Sequence, residues 1–399
     1  MFRVADEGYE RGRVETTSRR RETCWQNWKA FVAPLGVDPH LRGVRYEHAV
    51  RSLTGFAGAA RIGSFGRGRK VQGGTVSGAL TAVGKNITLV QSEDPTKLRG
   101  KDKYLPRISQ MLDGFKKDDP PTIKKMPCTI DLPEKMAAWG REKGASELEK
   151  AVGDLGLAAM YYLLRVGEYT VKRYKNNTKQ TEQFKMRDVT FFKYCKRGRL
   201  RRLGRNAKDK DIMSADGVTL KIGNQKNGWK NVSIFHEANG EEFMCPGKAI
   251  GRRYCDIRRQ GGGEGTYLSA YWVDGVRCDV TDQDMRESIK AAGRALDYPT
   301  EYGIDIERLD THSLRSGGAN QLATAGYSEM EIQKMGRWKG DTFKEYIREE
   351  LACFSAGMSK KMKQKFKFVN ITGSAQGDLV DVTSAVIAAP RIAPASAAA

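Results

Sequence analysis

"DTHSLRSGGANQLATAGYSEMEIQKMGRWKGDTFKEYIREE", Asp310–Glu350, sets three helix signals end to end. Its first part places His312 and Arg315 three residues apart, on one face of a helix. The small pair Gly317-Gly318 follows and lets that helix pack closely. Ser328 and Glu331 form a capping box, and the helix they open stops at Gly336, leaving Arg337 and Trp338 in a turn. Asp341 then caps a third helix, whose Phe343, Ile347, Leu351, Phe354, Met358 and Met362 make one apolar stripe. At about 100° per residue, Tyr346 lies roughly 110° from the centre of that stripe, at the edge of the buried face. Taken singly, a histidine in such a place is more often a packing or surface group than a chemical one, while the edge position of Tyr346 weakens its reading as one more packed aromatic. The rest of the chain decides between the two.

Two other stretches bear on the decision. "GLAAMYYLLRVGEYT" (156–170) is apolar on nearly every side, which predicts a buried helix ending at Arg165. A guanidinium there needs a partner, and Glu168 stands three residues on. The pair is either an internal ion pair or a carboxylate steadying an arginine that faces a phosphate. "VTLKIGNQKNGWKNVSIF" (218–235) alternates as strands do and breaks at Asn227-Gly228, a hairpin signal that puts Lys226 at the tip.

Before these lies a chain of two parts. Residues 1–20 are polar and read as a flexible arm. "CWQNWKAFVAPLG", "VRYEHAVRSLTGFAGAARIG", "TVSGALTAVGKNITLV" and "YLPRISQMLDGFKK" predict an all-helical domain over 21–117. The Pro- and charge-rich residues 118–130 read as a linker and 131–365 as a mixed domain, with strands at "RDVTFF", "VTLKIG" and "NVSIFH". Residues 366–399 read as a tail, in which "FKFVNITG" could form a strand passed to a neighbour. The glycine-rich "RIGSFGRGRKVQGG" and "RQGGGEG" match no phosphate-loop order and read as loops; the first carries Arg61, Arg67, Arg69 and Lys70, which suit the DNA backbone.

With 69 Lys+Arg against 48 Asp+Glu, the formal net charge of +21 calls for an anionic partner, nucleic acid before an acidic membrane surface. No apolar run is long enough to span a membrane and no secretory signal opens the chain. The seven cysteines are scattered and only four histidines exist, so neither a disulfide framework nor a structural zinc site is expected.

In the order Arg165, Lys226, His312-x-x-Arg315, Arg337-Trp338, Tyr346, the chain resembles the tyrosine recombinase (phage integrase-like) family. The wording "HSLRSGGA" with "MGRWKGDTFKEYIR" looks most like the crypton-type recombinases of eukaryotes. The resemblance implies a mainly helical α+β chain: a helical core-binding domain, then a catalytic domain with a small antiparallel sheet. It implies a DNA strand-transfer enzyme with Tyr346 as nucleophile, Arg165 and Arg315 clamping the phosphate, Lys226 as general acid and His312 assisting. Glu168 would steady Arg165. Most of the family has His nine residues before the tyrosine; Arg337 stands there and Trp338 follows, so Trp338 is the expected donor and Arg337 the alternative. Double-stranded DNA, a homotetramer on two duplexes, no metal or other cofactor, and a nuclear setting in a eukaryote (cytoplasm or nucleoid otherwise) are further implications. The same chemistry without synapsis would make a type IB topoisomerase-like relaxer, and its loss would leave a domesticated DNA-binding protein.

Overall fold

Helix α1 (Glu15–Val32) carries Trp28 and Val32 on its apolar face and gives way at Ala33–Leu35 to a short 3-10 turn closed by Gly36 in the left-handed region. It starts inside the stretch expected to be an arm. The computed structural model describes residues 15–66, 68–121, 125–171, 181–196, 198–224, 230–340 and 344. By contacts the chain divides into Met1–Arg348 and Glu349–Ala399, and the second unit falls wholly outside the described residues.

The first unit has two separate apolar clusters of substantial size. In one, α1 packs with α2 (Tyr46–Arg61), α3 (Gly73–Gln91) and α4 (Pro106–Lys117). Trp28, Leu53, Phe56, Leu80, Ile87 and Ile108 are sealed from solvent there. Each such side chain contributes about 1.5–3 kcal/mol by leaving water. The Trp28 and Phe56 rings meet edge to face at 5.4 Å, and the Trp28 indole donates to Pro39 O at 2.8 Å.

The larger cluster runs from Cys128 to Leu314 and is mixed. Helices α5 (Asp131–Trp139) and α6 (Glu147–Tyr161) lead to a one-turn helix α7 (Val166–Tyr169). Strands β1 (Val189–Tyr194) and β2 (Leu200–Arg202) follow, then helix α8 (Asp209–Met213) and strands β3 (Gly217–Asn224) and β4 (Lys230–Glu237). The four strands form one antiparallel sheet in the order β2-β1-β3-β4, with Phe191 opposite Val218 and Leu220 opposite Ile234. Those residues face the core; the alternate ones face away. Helix α9 (Pro246–Arg259) packs on α6. Strands β5 (Ala270–Val273) and β6 (Val276–Asp279) make a second hairpin, its Asp274-Gly275 turn entirely at positive φ. Helices α10 (Asp282–Ala295), α11 (Tyr298–Glu301), α12 (Thr311–Thr324) and α13 (Glu329–Gly336) complete the described part. The mainly helical α+β class with a small antiparallel sheet is therefore the one the sequence predicts. Strands β2, β5 and β6 were not predicted.

The expected linker is bound at its far end. Met126 N–H donates to Arg308 O at 2.9 Å, and Cys128 N–H to Ser313 O at 3.2 Å. Cys128 is buried, with its carbonyl pressed against Gly317, so residues from Met126 on belong to the larger core. Among the described residues no helix is long and apolar enough to cross a membrane, and no disulfide joins two described cysteines.

Candidate active site

Helix α6 begins at a complete capping box, Ser146 with Glu149, and runs buried to Tyr161. It does not continue to Arg165 as its apolar sequence predicts. Leu163 takes the left-handed conformation (φ 47°), which costs a β-substituted residue on the order of 1 kcal/mol or more. What holds it is tertiary. The turned-out carbonyls of Tyr162 and Leu163 accept from two arginines more than 150 residues away: Arg315 Nη1 donates to Leu163 O at 2.6 Å, and Arg337 donates to Tyr162 O and Leu163 O, both at 3.1 Å.

After this turn Arg165 caps α7 through its main chain, donating its N–H to Glu168 Oε2 at 2.9 Å, while its side-chain Nη1 reaches Oε1 at 3.2 Å. Glu168 is 1% exposed and also accepts from Arg337 Nη2 at 2.9 Å. A single buried carboxylate thus holds two guanidiniums. Arg165 remains partly open to solvent; Arg337 does not.

Helix α12 supplies His312 and Arg315. It is capped by Asp310, whose carboxylate accepts from Thr311 N–H at 2.6 Å. Gly317 and Gly318 seat it, since a Cβ on either would fall 2.2 Å from a main-chain oxygen, Cys128 O or Met160 O. Arg315 turns inward, 2% exposed, while His312, one turn earlier, opens to solvent. Arg315 Nη2 donates to Gly336 O, and its guanidinium lies 4.4 Å from the centre of the Trp338 ring. That stack is possible because residue 336 has no side chain: a Cβ there would overlap the indole. Helix α13 carries the predicted Ser328–Glu331 box and ends with Arg337 in the left-handed region.

Packing around the His312 ring, reinforced by the Arg315 and Arg165 charges and opposed by Asp310, holds its pKa below the ordinary 6.5. The ring is therefore neutral at pH 7 and able to accept a proton. Arg337 is also displaced downward by burial, against the pull of Glu168.

Of the predicted residues, Arg165, Glu168, His312, Arg315, Arg337 and Trp338 come together around the 162–168 turn. Lys226, Tyr346 and Arg67 lie outside the described residues. Arg337 as a donor to a phosphate does not fit the geometry: it is 1% exposed and turned onto Glu168 and main-chain carbonyls, so it braces the turn. Arg61 does not face DNA either. It is 4% exposed, donates to Val71 O at 2.6 Å and Phe115 O at 3.0 Å, and pairs with Asp119. Its neighbours Arg69 and Lys70 are exposed.

Sequence reasoning missed the acceptors themselves, since a carbonyl at Leu163 leaves no mark in the side-chain code. It also missed His236 on β4. That ring donates Nε2–H to Tyr161 O at 2.7 Å and meets the Tyr162 ring edge to face at 4.6 Å. Tyr162 Oη in turn donates to Val218 O at 3.2 Å, so the sheet is tied to the end of α6 where the turn begins. Among the described residues no three His, Cys, Asp or Glu side chains are grouped to hold a metal ion.

No protein-family model matches the sequence, and no curated protein matches it. Among solved structures the chain is similar to the Tn1549 transposon integrase in complex with transposon right end DNA, at 14% identity and a TM-score of 0.46, covering 89% of this chain and 97% of that one. It is similar to XerA recombinase at 14% identity and 0.35, covering 91% and 98%. A lambda integrase tetramer bound to a Holliday junction gives 12% identity and 0.38, covering 78% and 66%. Identities this low leave the side chains of the site itself as the ground for a functional reading.

Proposed function

We propose that the chain is a site-specific DNA recombinase of the tyrosine type, cleaving and rejoining strands through a 3′-phosphotyrosyl intermediate. The observation that carries the reading is the convergence of Arg165, His312, Arg315 and Trp338 on one turn, with Glu168 and Arg337 buried beneath as a brace.

The Tyr346 oxygen attacks the phosphorus, giving its proton to neutral His312. The P–O5′ bond breaks, and Lys226 protonates the leaving 5′ oxygen. Arg165 meets the non-bridging oxygens from the surface, and Arg315, held from behind by Leu163 O and Gly336 O, adds charge from below. Trp338 fixes the plane of Arg315 by stacking. Attack of a different 5′-hydroxyl on the phosphotyrosine reverses the chemistry and completes exchange. Double-stranded DNA is the partner, four protomers assemble on two duplexes, and the sequence likeness to crypton-type elements points to integration or excision of a mobile element in a nucleus.

The test is adduct trapping on a nicked duplex that loses the fragment carrying its 5′-hydroxyl after cleavage. The full chain should give an SDS-resistant protein–DNA adduct whose phosphotyrosine maps to Tyr346, and Tyr346→Phe should bind DNA and give none. An adduct on another tyrosine, or Tyr346→Phe cleaving normally, refutes the mechanism. Relaxation of supercoiled plasmid with no exchanged product would favour the topoisomerase-like reading instead.

A further inference from the structure

The outer face of the four-stranded sheet has no role in this chemistry, and no described residue covers it. Strand pairing places Phe192 and Tyr194 of β1, Leu200 and Arg202 of β2, Lys221 of β3 and Phe235 of β4 on that one face. Tyr194 is 47% exposed, Leu200 38% and Phe235 36%. The Phe192 and Phe235 rings meet edge to face at 6.0 Å, and a Cβ at Gly217 would lie 2.5 Å from the Phe235 ring, so the missing side chain is what lets that ring lie over the strand. Tyr194 Oη donates to Glu237 Oε1 at 2.5 Å, which fixes its ring and engages an acidic group on this face. Around the rings, Lys196, Arg199, Arg202 and Lys221 form no ion pair with any described residue.

Exposed rings on a solvent-facing sheet cost hydrophobic stabilisation that burial would recover, and unpaired cations beside them repel one another. An occupant with flat faces and negative charge answers both. Bases in a duplex are already stacked and hide those faces, whereas unpaired bases present them with a phosphate between each. We propose that this face binds single-stranded nucleic acid, its bases stacking on Tyr194 and Phe235 and its phosphates meeting Arg202 and Lys221. Such strands arise wherever a duplex is opened, and the site is separate from the arginine cluster.

The experiment measures anisotropy of the full chain with labelled oligo(dT) of about 20 nucleotides and with a blunt duplex of equal length. Tyr194→Ala and Phe235→Leu should each weaken oligo(dT) binding by about tenfold or more and leave the duplex unchanged. Phe235→Trp should restore it. Arg202→Gln with Lys221→Gln should weaken oligo(dT) binding and lower its salt dependence. The proposal is overturned if the ring variants affect both nucleic acids equally or neither, or if Phe235→Leu binds as the wild type. A change of oligomeric state with unchanged oligo(dT) binding would make the face a protein interface and overturn it too. Melting temperatures of the variants show that the sheet is intact, and the Tyr346 adduct should form in all of them, so failure here is distinct from failure of the recombinase reading.

Discussion

Replacing Glu168 by Gln keeps its shape and one acceptor but removes the only acidic partner of Arg337 among the described residues, both side chains being 1% exposed. Breaking a buried pair from one side costs about 3–5 kcal/mol, because the remaining charge stays out of water. Here Tyr162 O, Leu163 O and Met335 O still accept from the guanidinium, so the lower end, about 3 kcal/mol, is expected. At about 2–4 °C per kcal/mol for a body of this size, the melting temperature of the larger core should fall by roughly 6–12 °C. Arg337→Met should cost less, since Glu168 keeps its bonds from Arg165 N–H and Nη1. The double variant is the decisive arm: with both charges gone, its cost should fall short of the sum of the singles by about 2 kcal/mol. Calorimetry of the four proteins gives the cycle. Additivity within about 0.5 kcal/mol would show that the pair does not brace the turn, and the reasoning would fail.

Arg61→Ala should lower the stability of the helical N-terminal part and leave DNA affinity nearly unchanged, while Arg69→Ala with Lys70→Ala should do the reverse; filter binding over a salt series with parallel thermal melts separates them. Because the folded His312 titrates below 6.5, cleavage should hold through neutral pH and decline only as acid protonates the ring, with a midpoint under that value; His312→Gln should be slower and lack this limb in single-turnover assays. His236 is likewise held below 6.5, by burial, so the unfolded chain takes up more protons there and stability should drop as pH falls under about 6.5 in urea titrations. Cleavage should also proceed in EDTA, and loss on chelation with rescue by Mg²⁺ would refute the metal-free mechanism.

Much of the site was legible because its residues sit at helix ends that announce themselves. The Ser328–Glu331 box, the stop at Gly336 and the three-residue spacing of His312 and Arg315 are local facts, and locally they hold. What was hidden depends on distance. Nothing in "MYYLLRVGEY" marks Leu163 for a left-handed turn, because the bonds that stabilise it come from Arg315 and Arg337. The inward turn of Arg61 and Arg337 was hidden for the same reason: charge gives no direction until the carbonyls around it are placed. Strand β2 was missed because it has three residues and all are exposed, so no buried period betrays it.

Apart from Glu168, the acceptors that hold Arg315 and Arg337 are peptide groups at positions 162, 163, 335 and 336, and a peptide group cannot be mutated away. A saturation scan would therefore draw a misleading map of this region. Polarity at 163 would look irrelevant, while any residue unwilling to bend there would be lost, and 336 would tolerate glycine alone. Such a scan would mark both positions as scaffold, although the orientation of the arginines is written in their backbone.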